Sequence, residues 1–253
     1  KINLALNVVG KAYSLHKIET IISFLNLHDE IFIKIIKSRD HKIKFTGKFS
    51  NNISVNNTVS HLLEILDKKK LLKNTRLQII IKKNIPPEAG LGGGSMNAAT
   101  ILKFLIKKKL IYISKRDINK VCRLIGSDVI LGLHSNNLVL KSNNTIKNFL
   151  IKKKIFTLIV KPSFGCSTKK IYSKIKKFKK AKLNQPKKSM FNLDILKKMD
   201  NDLEVIALIK YSKLKTLKGF LEKLSKVEFV RMTGSGSAII AYFKSYKMCM
   251  EAK

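Results

Sequence analysis

Cysteine is scarce in this chain. The three residues, Cys122, Cys166 and Cys249, are odd in number and show no C-x-x-C spacing. A disulfide framework and a zinc site are both disfavoured, and a reducing compartment fits. No apolar stretch approaches the ~20 residues that cross a bilayer, because lysine interrupts nearly every one. The opening Lys1-Ile2-Asn3 leads into an alternating segment rather than the apolar core of a secretory signal. Acidic residues number 16 against 52 lysines and arginines, which gives the 253-residue chain a net charge of +36. Arginine is nearly absent: only Arg39, Arg76, Arg116, Arg123 and Arg231. Readers of phosphate and base edges favour arginine, whose planar fork makes paired bonds. Lysine is instead spread along the whole chain, together with isoleucine and asparagine, and all three have A/T-rich codons. The charge therefore reads as genomic composition, with a basic nucleic-acid-binding surface as the alternative from a different function class.

What is present suits a folded protein. Hydrophobic residues make up 45%, far above the share in disordered chains. The length fits one large domain or two lobes, and a boundary near residue 150 is expected, giving lobes 1–150 and 151–253. Residues 2–9, 18–27, 30–36, 76–82, 137–141, 155–161, 227–231 and 238–243 read as strands. Residues 58–72, 95–108, 168–177, 202–209 and 213–224 read as helices. These mix without a regular β-α-β-α alternation, so the fold class is α+β. The lysine-heavy stretch 174–188, with Pro186, reads as a largely exposed connection. A start at lysine rather than methionine implies residues before Lys1. His28, His41, His61 and His134 show no metal-ligand spacing, and Cys122 reads as a buried small hydrophobe.

One segment concentrates glycine: four of the chain's 12 glycines lie in Gly90-Leu91-Gly92-Gly93-Gly94-Ser95-Met96-Asn97-Ala98-Ala99. Glycine lets a ligand approach the backbone, and free N–H groups at a helix start attract phosphate. Ser95 is a candidate N-cap, or a ligand to phosphate or metal. Walker A is excluded because no lysine precedes Ser95, and the dinucleotide fingerprint fails because Ser95 occupies its third glycine position.

Pro86-Pro87-Glu88-Ala89 together with this loop resembles the ATP-binding loop of the GHMP kinases. The doubled glycines and Asn-Ala-Ala resemble those members that act on a cytidine-diphosphate polyol in the non-mevalonate isoprenoid pathway. Lys1–Gly10, Gly126-Ser127-Asp128-Val129, Pro162–Tyr172, Asn201-Asp202-Leu203-Glu204 and Thr233-Gly234-Ser235-Gly236-Ser237 resemble further family signatures in the right order. The resemblance spans nearly the whole chain. It implies a two-lobe α+β kinase with its active site in the cleft between lobes. Its cofactors would be ATP and Mg2+ (no metal ligand assigned), and its location bacterial cytoplasm, with a plastid-type organelle as the alternative. Another kinase of the family, of the homoserine or mevalonate type, is the nearer alternative function.

The resemblance also implies roles. Asp128 matches the base that takes the acceptor hydroxyl's proton; the alternative is a helix cap. Lys1 matches the lysine paired with that base, though by itself it is one more solvated lysine. Pro87, Glu88, Ala89, Gly90, Leu91, Gly92, Gly93, Gly94, Ser95, Met96 and Asn97 match the ATP loop. Asn57 matches a reader of adenine, or serves as an N-cap. Asn3, His16 and Tyr172 match substrate-binding positions, with His16 on the cytosine edge and Tyr172 stacked on its face. Two positions depart from the family: Leu15 stands where an aromatic is usual, in Tyr13-Ser14-Leu15-His16, and Met96 replaces a serine.

Overall fold

In the computed structural model, which describes residues 1–12, 15–51 and 53–253, the alternation that opens the chain becomes a long antiparallel pair. Strand β1 (Ile2–Ala12) runs against β2 (Leu15–Ser23). Next come β3 (Glu30–Ile36), β4 (Lys42–Thr46), α1 (Thr58–Lys68) and β5 (Arg76–Lys82). Helices α2 (Gly93–Lys107) and α3 (Lys115–Ile125) follow, then a 3-10 turn at Ile130–Leu133. The remainder contains β6 (Asn137–Leu140), β7 (Ile146–Phe149), β8 (Phe156–Val160) and α4 (Thr168–Tyr172). It ends with α5 (Leu193–Lys197), α6 (Asp202–Lys210), α7 (Ser212–Glu222), β9 (Phe229–Met232), β10 (Ile239–Phe243) and α8 (Tyr246–Glu251). The mixture confirms the α+β class. Among the described residues no helix is long and apolar enough to cross a membrane.

The chain divides into two units, each assembled from separated segments. The first is Lys1–Phe24, Glu88–Leu91 and Asn136–Lys253; the second is Leu25–Pro87 and Gly92–Ser135. The boundary expected near residue 150 thus falls inside the first unit.

The second unit is built on β5. Its burial alternates strictly, and Leu77, Ile79 and Ile81 are each fully buried. With β3 antiparallel on one side and β4 parallel on the other, it centres a three-stranded sheet. Val59, Leu62, Leu63 and Leu66 of α1 join Ala98, Ala99, Leu102 and Leu105 of α2 in the core that includes those three residues. Strand β4 was not foreseen, because its lysines at positions 42 and 44 obscure a five-residue pattern. His41, just before it, is structural: its Nδ1 accepts the Leu77 N–H at 3.0 Å, and its Nε2 lies 3.1 Å from Asp67 Oδ2.

The first unit contains two antiparallel sheets, β1-β2-β6-β7 and β8-β10-β9. All five residues of β10 are buried, as its uninterrupted apolar run requires of a central strand covered on both faces. Leu203 and Ala207 of α6, Leu214 and Leu221 of α7, and Met232, Ile239, Ala241 and Phe243 share its core with Leu6 and Val8. The motif Asn201–Glu204 clamps this core. Asn201 Nδ2 donates to the carbonyls of Met232 and Gly234, both at 2.8 Å, and Glu204 accepts the Met232 N–H at 2.9 Å. Asp202 accepts the Val8 N–H at 2.8 Å.

Helix α4 stops at Tyr172, five residues short of expectation. The segment after it bonds to β1 and β2 instead of to itself. Lys179 N–H donates to Val8 O at 3.0 Å, and Glu19 accepts the N–H groups of Lys182 and Leu183 at 2.8 and 2.9 Å. Most of residues 174–188 are exposed, as expected, while Leu183 and Pro186 are buried anchors.

The two faces of the second unit's sheet set up a contrast. Ile79→Ala should destabilise by about 2–5 kcal/mol, the range for a truncated core aliphatic. Phe32→Ala, at a position 57% exposed, should stay within about 1 kcal/mol of wild type. Equilibrium denaturation of both variants checks the assignment of inner and outer faces.

Candidate active site

Helix α2 starts earlier than the sequence suggested. The cap expected at Ser95 is Gly92, in the left-handed region at φ 69°, and no side chain caps the helix. Ser95 is therefore the third residue of the first turn. The first intrahelical bond is Met96 N–H to Gly92 O at 2.9 Å, so the N–H groups of Gly93, Gly94 and Ser95 precede the ladder. A run of uncapped donors at the positive end of a 15-residue helix is a cradle for an anion. Side chains are kept out of it by packing. A Cβ on Gly93 would stand 3.1 Å from Ile85 Cγ2, and one on Gly94 2.9 Å from Thr58 Oγ1. Met96 does not crowd the cradle, because its thioether packs at Gly132, where a Cβ would lie 3.0 Å from Met96 Cε. Asn97, the fifth residue of the helix, is buried.

The preceding residues belong to the first unit. Pro87 and Glu88 are exposed and Ala89 and Leu91 buried. Ser237 N–H donates to Glu88 O at 3.1 Å, and Ala238 N–H to Ala89 O at 3.2 Å, so the serine-glycine turn backs this stretch. Gly90 has φ +70°, and a Cβ there would fall 2.1 Å from the Thr233 carbonyl oxygen. Only glycine fits.

Lys1 is not a solvated lysine. It is 6% exposed, and its Nζ donates to Asn3 Oδ1 at 2.8 Å. Asn3, 3% exposed, passes the order onward: its Nδ2 donates to Thr20 Oγ1 at 2.9 Å, and Thr20 donates to Ala5 O at 2.6 Å. The backbone nitrogen of Lys1 donates to Leu91 O at 3.3 Å. Asn3 thus holds the Lys1 ammonium in place.

His16 and Tyr172 come together in the first unit, with ring centroids 5.0 Å apart and planes tilted by 37°. Burial and then the neighbouring Lys11 charge push the His16 imidazole below its ordinary 6.5, so it is neutral at pH 7. A neutral imidazole offers one N–H donor and one acceptor nitrogen, which suits the edge of a heteroaromatic base. Leu15 is 72% exposed. Tyr13 and Ser14 of the same motif lie outside the described residues.

Asp128, in the second unit, is half-buried in the turn between α3 and the 3-10 turn, and its carbonyl accepts the Leu131 N–H at 3.2 Å. Asn57 is the N-cap of α1. Its Oδ1 accepts from Val59 and Ser60 at 2.9 and 3.1 Å, and its Nδ2 donates to Ser54 O and Val55 O at 2.9 and 3.1 Å. All four hydrogen-bonding positions of the amide are engaged, so reading a base would require the cap to open.

Sequence reasoning missed Asp29 and Lys83. The Asp29 side chain is fully buried and pairs with the Lys83 ammonium, itself 7% exposed. It also accepts the N–H groups of Asn84 and Ile85, both at 2.8 Å, and Asn97 Nδ2 at 2.8 Å. One carboxylate thus ties the exit of β5 to the N-terminal part of α2. Burial alone would raise its pKa, but the bonds from Lys83, Asn97 and Ile85 outweigh burial and hold it below 3.8. One lysine among 47 and one aspartate in a short connection carried no signal. The cavity of about 880 Å3 along residues 174–179, 199–202 and 227–231 holds none of the expected site residues.

Residues 57–136 match the GHMP kinases N terminal domain. The chain is 54% identical over 252 residues to a 4-diphosphocytidyl-2-C-methyl-D-erythritol kinase from Pelagibacter ubique, covering 100% of this chain and 90% of that one. It is 33% identical to the kinase of the same name from Petrotoga mobilis, covering 94% and 95%. A crystal structure of 4-(cytidine 5'-diphospho)-2C-methyl-D-erythritol kinase shares the fold, with a TM-score of 0.78 at 21% identity, covering 99% of this chain and 90% of that one. Homoserine kinase from Cytophaga hutchinsonii is similar in fold at TM-score 0.62 and 13% identity, covering 100% and 88%.

The Asp29 cluster makes a stability prediction with a defined sign. Because the folded pKa lies below 3.8, its contribution is complete above that value and is lost as pH falls through the folded pKa. Asp29→Asn strands a buried ammonium and should cost about 3–5 kcal/mol at neutral pH. The penalty should shrink toward pH 2, which chemical denaturation of wild type and variant at several pH values measures.

Proposed function

The chain belongs to the GHMP kinase family, among the 4-diphosphocytidyl-2-C-methyl-D-erythritol kinases, and on that premise we propose the following reaction. The γ-phosphoryl group of ATP passes to the 2-hydroxyl of 4-diphosphocytidyl-2-C-methyl-D-erythritol, a step of the non-mevalonate isoprenoid pathway. The observation that carries this reading is the 54% identity extending over the whole chain; the uncapped glycine start of α2 supports it. ATP and the polyol are the small-molecule partners, and the bacterial cytoplasm is the proposed location.

Phosphoryl transfer asks mainly for positioning and charge stabilisation. The N–H groups of Gly93, Gly94 and Ser95 hold phosphate oxygens, and residues 87–97 form the rest of the ATP loop. The aliphatic Met96 contributes through its backbone alone. Asp128 accepts the proton of the attacking hydroxyl. Lys1, kept in one orientation by Asn3, supplies positive charge for the phosphoryl group in transfer. His16 reads the cytosine edge, and Tyr172 covers its face. Mg2+ accompanies the ATP phosphates, and no residue is assigned to it: among the described residues no three His, Cys, Asp or Glu gather into a possible metal site.

Two experiments test these assignments. Asp128→Asn should lower kcat by about 10^2-fold or more in an ADP-release assay with the cytidine-diphosphate polyol, with little change in ATP binding. Unchanged turnover, or efficient phosphorylation of homoserine or mevalonate in place of the polyol, refutes the reading. Separately, the KM for the polyol should hold steady above pH 6.5 and rise below it as His16 takes up a proton. In His16→Gln that rise should disappear.

A further inference from the structure

The 174–188 segment carries one large aromatic among its lysines, Phe178, and it is 46% exposed. Its ring centroid lies 6.3 Å from His16, with the planes at 55°, so His16 has two aromatic neighbours: Tyr172 at 5.0 Å and Phe178 at 6.3 Å. Phe178 is no core residue. It contributes to neither large apolar cluster, and it also borders the 880 Å3 cavity. Leaving nearly half of a phenylalanine wet costs hydrophobic free energy that a covering ligand would recover.

The position of this ring is fixed by bonds that a loose connection would lack. Immediately after it, Lys179 N–H donates to Val8 O at 3.0 Å, and Lys179 Nζ lies 2.6 Å from Asp202 Oδ1. Four residues on, the buried Glu19 carboxylate accepts the N–H groups of Lys182 and Leu183, and Asn7 Nδ2 donates to the same carboxylate at 2.8 Å. Both anchors grip the backbone through β1 and β2, the strand pair that contains His16. The result is a half-exposed aromatic held at a constant place beside a neutral imidazole. Lys174, Lys176 and Lys177 lie in the same segment and are exposed, which adds positive charge where an anionic ligand would approach.

We propose that Phe178 is a substrate-binding residue: with Tyr172 and His16 it forms the platform for the pyrimidine ring of the cytidine-diphosphate substrate. It supplies an aromatic surface that the aliphatic Leu15 does not. The inference rests on the function proposed above and adds to it a residue that sets selectivity for the base. Stacking on a ring face is sensitive to loss of the ring and tolerant of a hydroxyl on it.

Calorimetric titration with cytidine 5'-diphosphate, paired with steady-state kinetics, tests this in Phe178→Ala, Phe178→Leu and Phe178→Tyr. The Ala and Leu variants should bind cytidine diphosphate about ten-fold more weakly. Their KM for the polyol should rise in parallel, with kcat and the KM for ATP within about two-fold of wild type. The Tyr variant should restore binding. Wild-type affinity in Phe178→Leu would overturn the proposal, since apolar bulk alone would then suffice. So would a parallel loss of thermal stability and ATP affinity in all three variants, which marks a structural residue. If wild type neither binds cytidine diphosphate nor phosphorylates the polyol, the functional reading itself falls. An active wild type with unaffected variants defeats this inference alone.

Discussion

The glycine-led start of α2 depends on the Asp29 carboxylate. Nothing about a glycine-led turn fixes its own position, because glycine removes the side chains that would pack it and costs roughly 1 kcal/mol per residue against alanine within a helix. Asp29 supplies the missing constraint from outside. Its oxygens hold the Lys83 ammonium, the backbone at Asn84 and Ile85, and the Asn97 amide. Strand exit and helix start are thereby joined across a segment that contains two prolines. Ile85 and Thr58 then close on the glycines from the sides. The polar groups around this turn are committed to each other, and no side chain caps its donors.

The same economy runs through the first unit. Acidic residues are few, yet several serve backbone donors at buried junctions. Glu19 fastens the lysine-rich segment, Asp202 meets the Val8 N–H, and Glu204 meets the Met232 N–H. Arg231, one of five arginines, donates to the carbonyls of Leu4, Leu196 and Met199. Lysine could not do this work with one compact charge. The excess positive charge lies mostly on exposed lysines, whereas the scarce residue types occupy the positions where geometry decides the fold.

Legibility in the sequence followed this division. Strands β3 and β5 were placed at their observed ends, because branched aliphatic residues dominate them. The glycine loop announced itself, although Ser95 misled as a cap: the left-handed Gly92 ends the loop, and φ is invisible in a string of letters. Asn57 carried two readings, and the structure shows the cap, with all four positions of its amide bonded. Lys1 and Asp128 could be singled out only through resemblance, since one lysine or aspartate looks like any other. Asp29, Lys83 and Phe178 gave no signal, because their meaning lies in neighbours that are 54 to 162 positions away along the chain.

Glycine is spelled with G-rich codons, while the lysine, isoleucine and asparagine that crowd this sequence are spelled with A and T. Mutational pressure of that direction erodes glycine wherever a side chain can be tolerated, and the chain has only 12. Gly90 cannot yield, with the Thr233 carbonyl 2.1 Å from where a Cβ would stand. Every amino-acid-changing mutation of the Gly90 codon adds a side chain, so that position tolerates none of them.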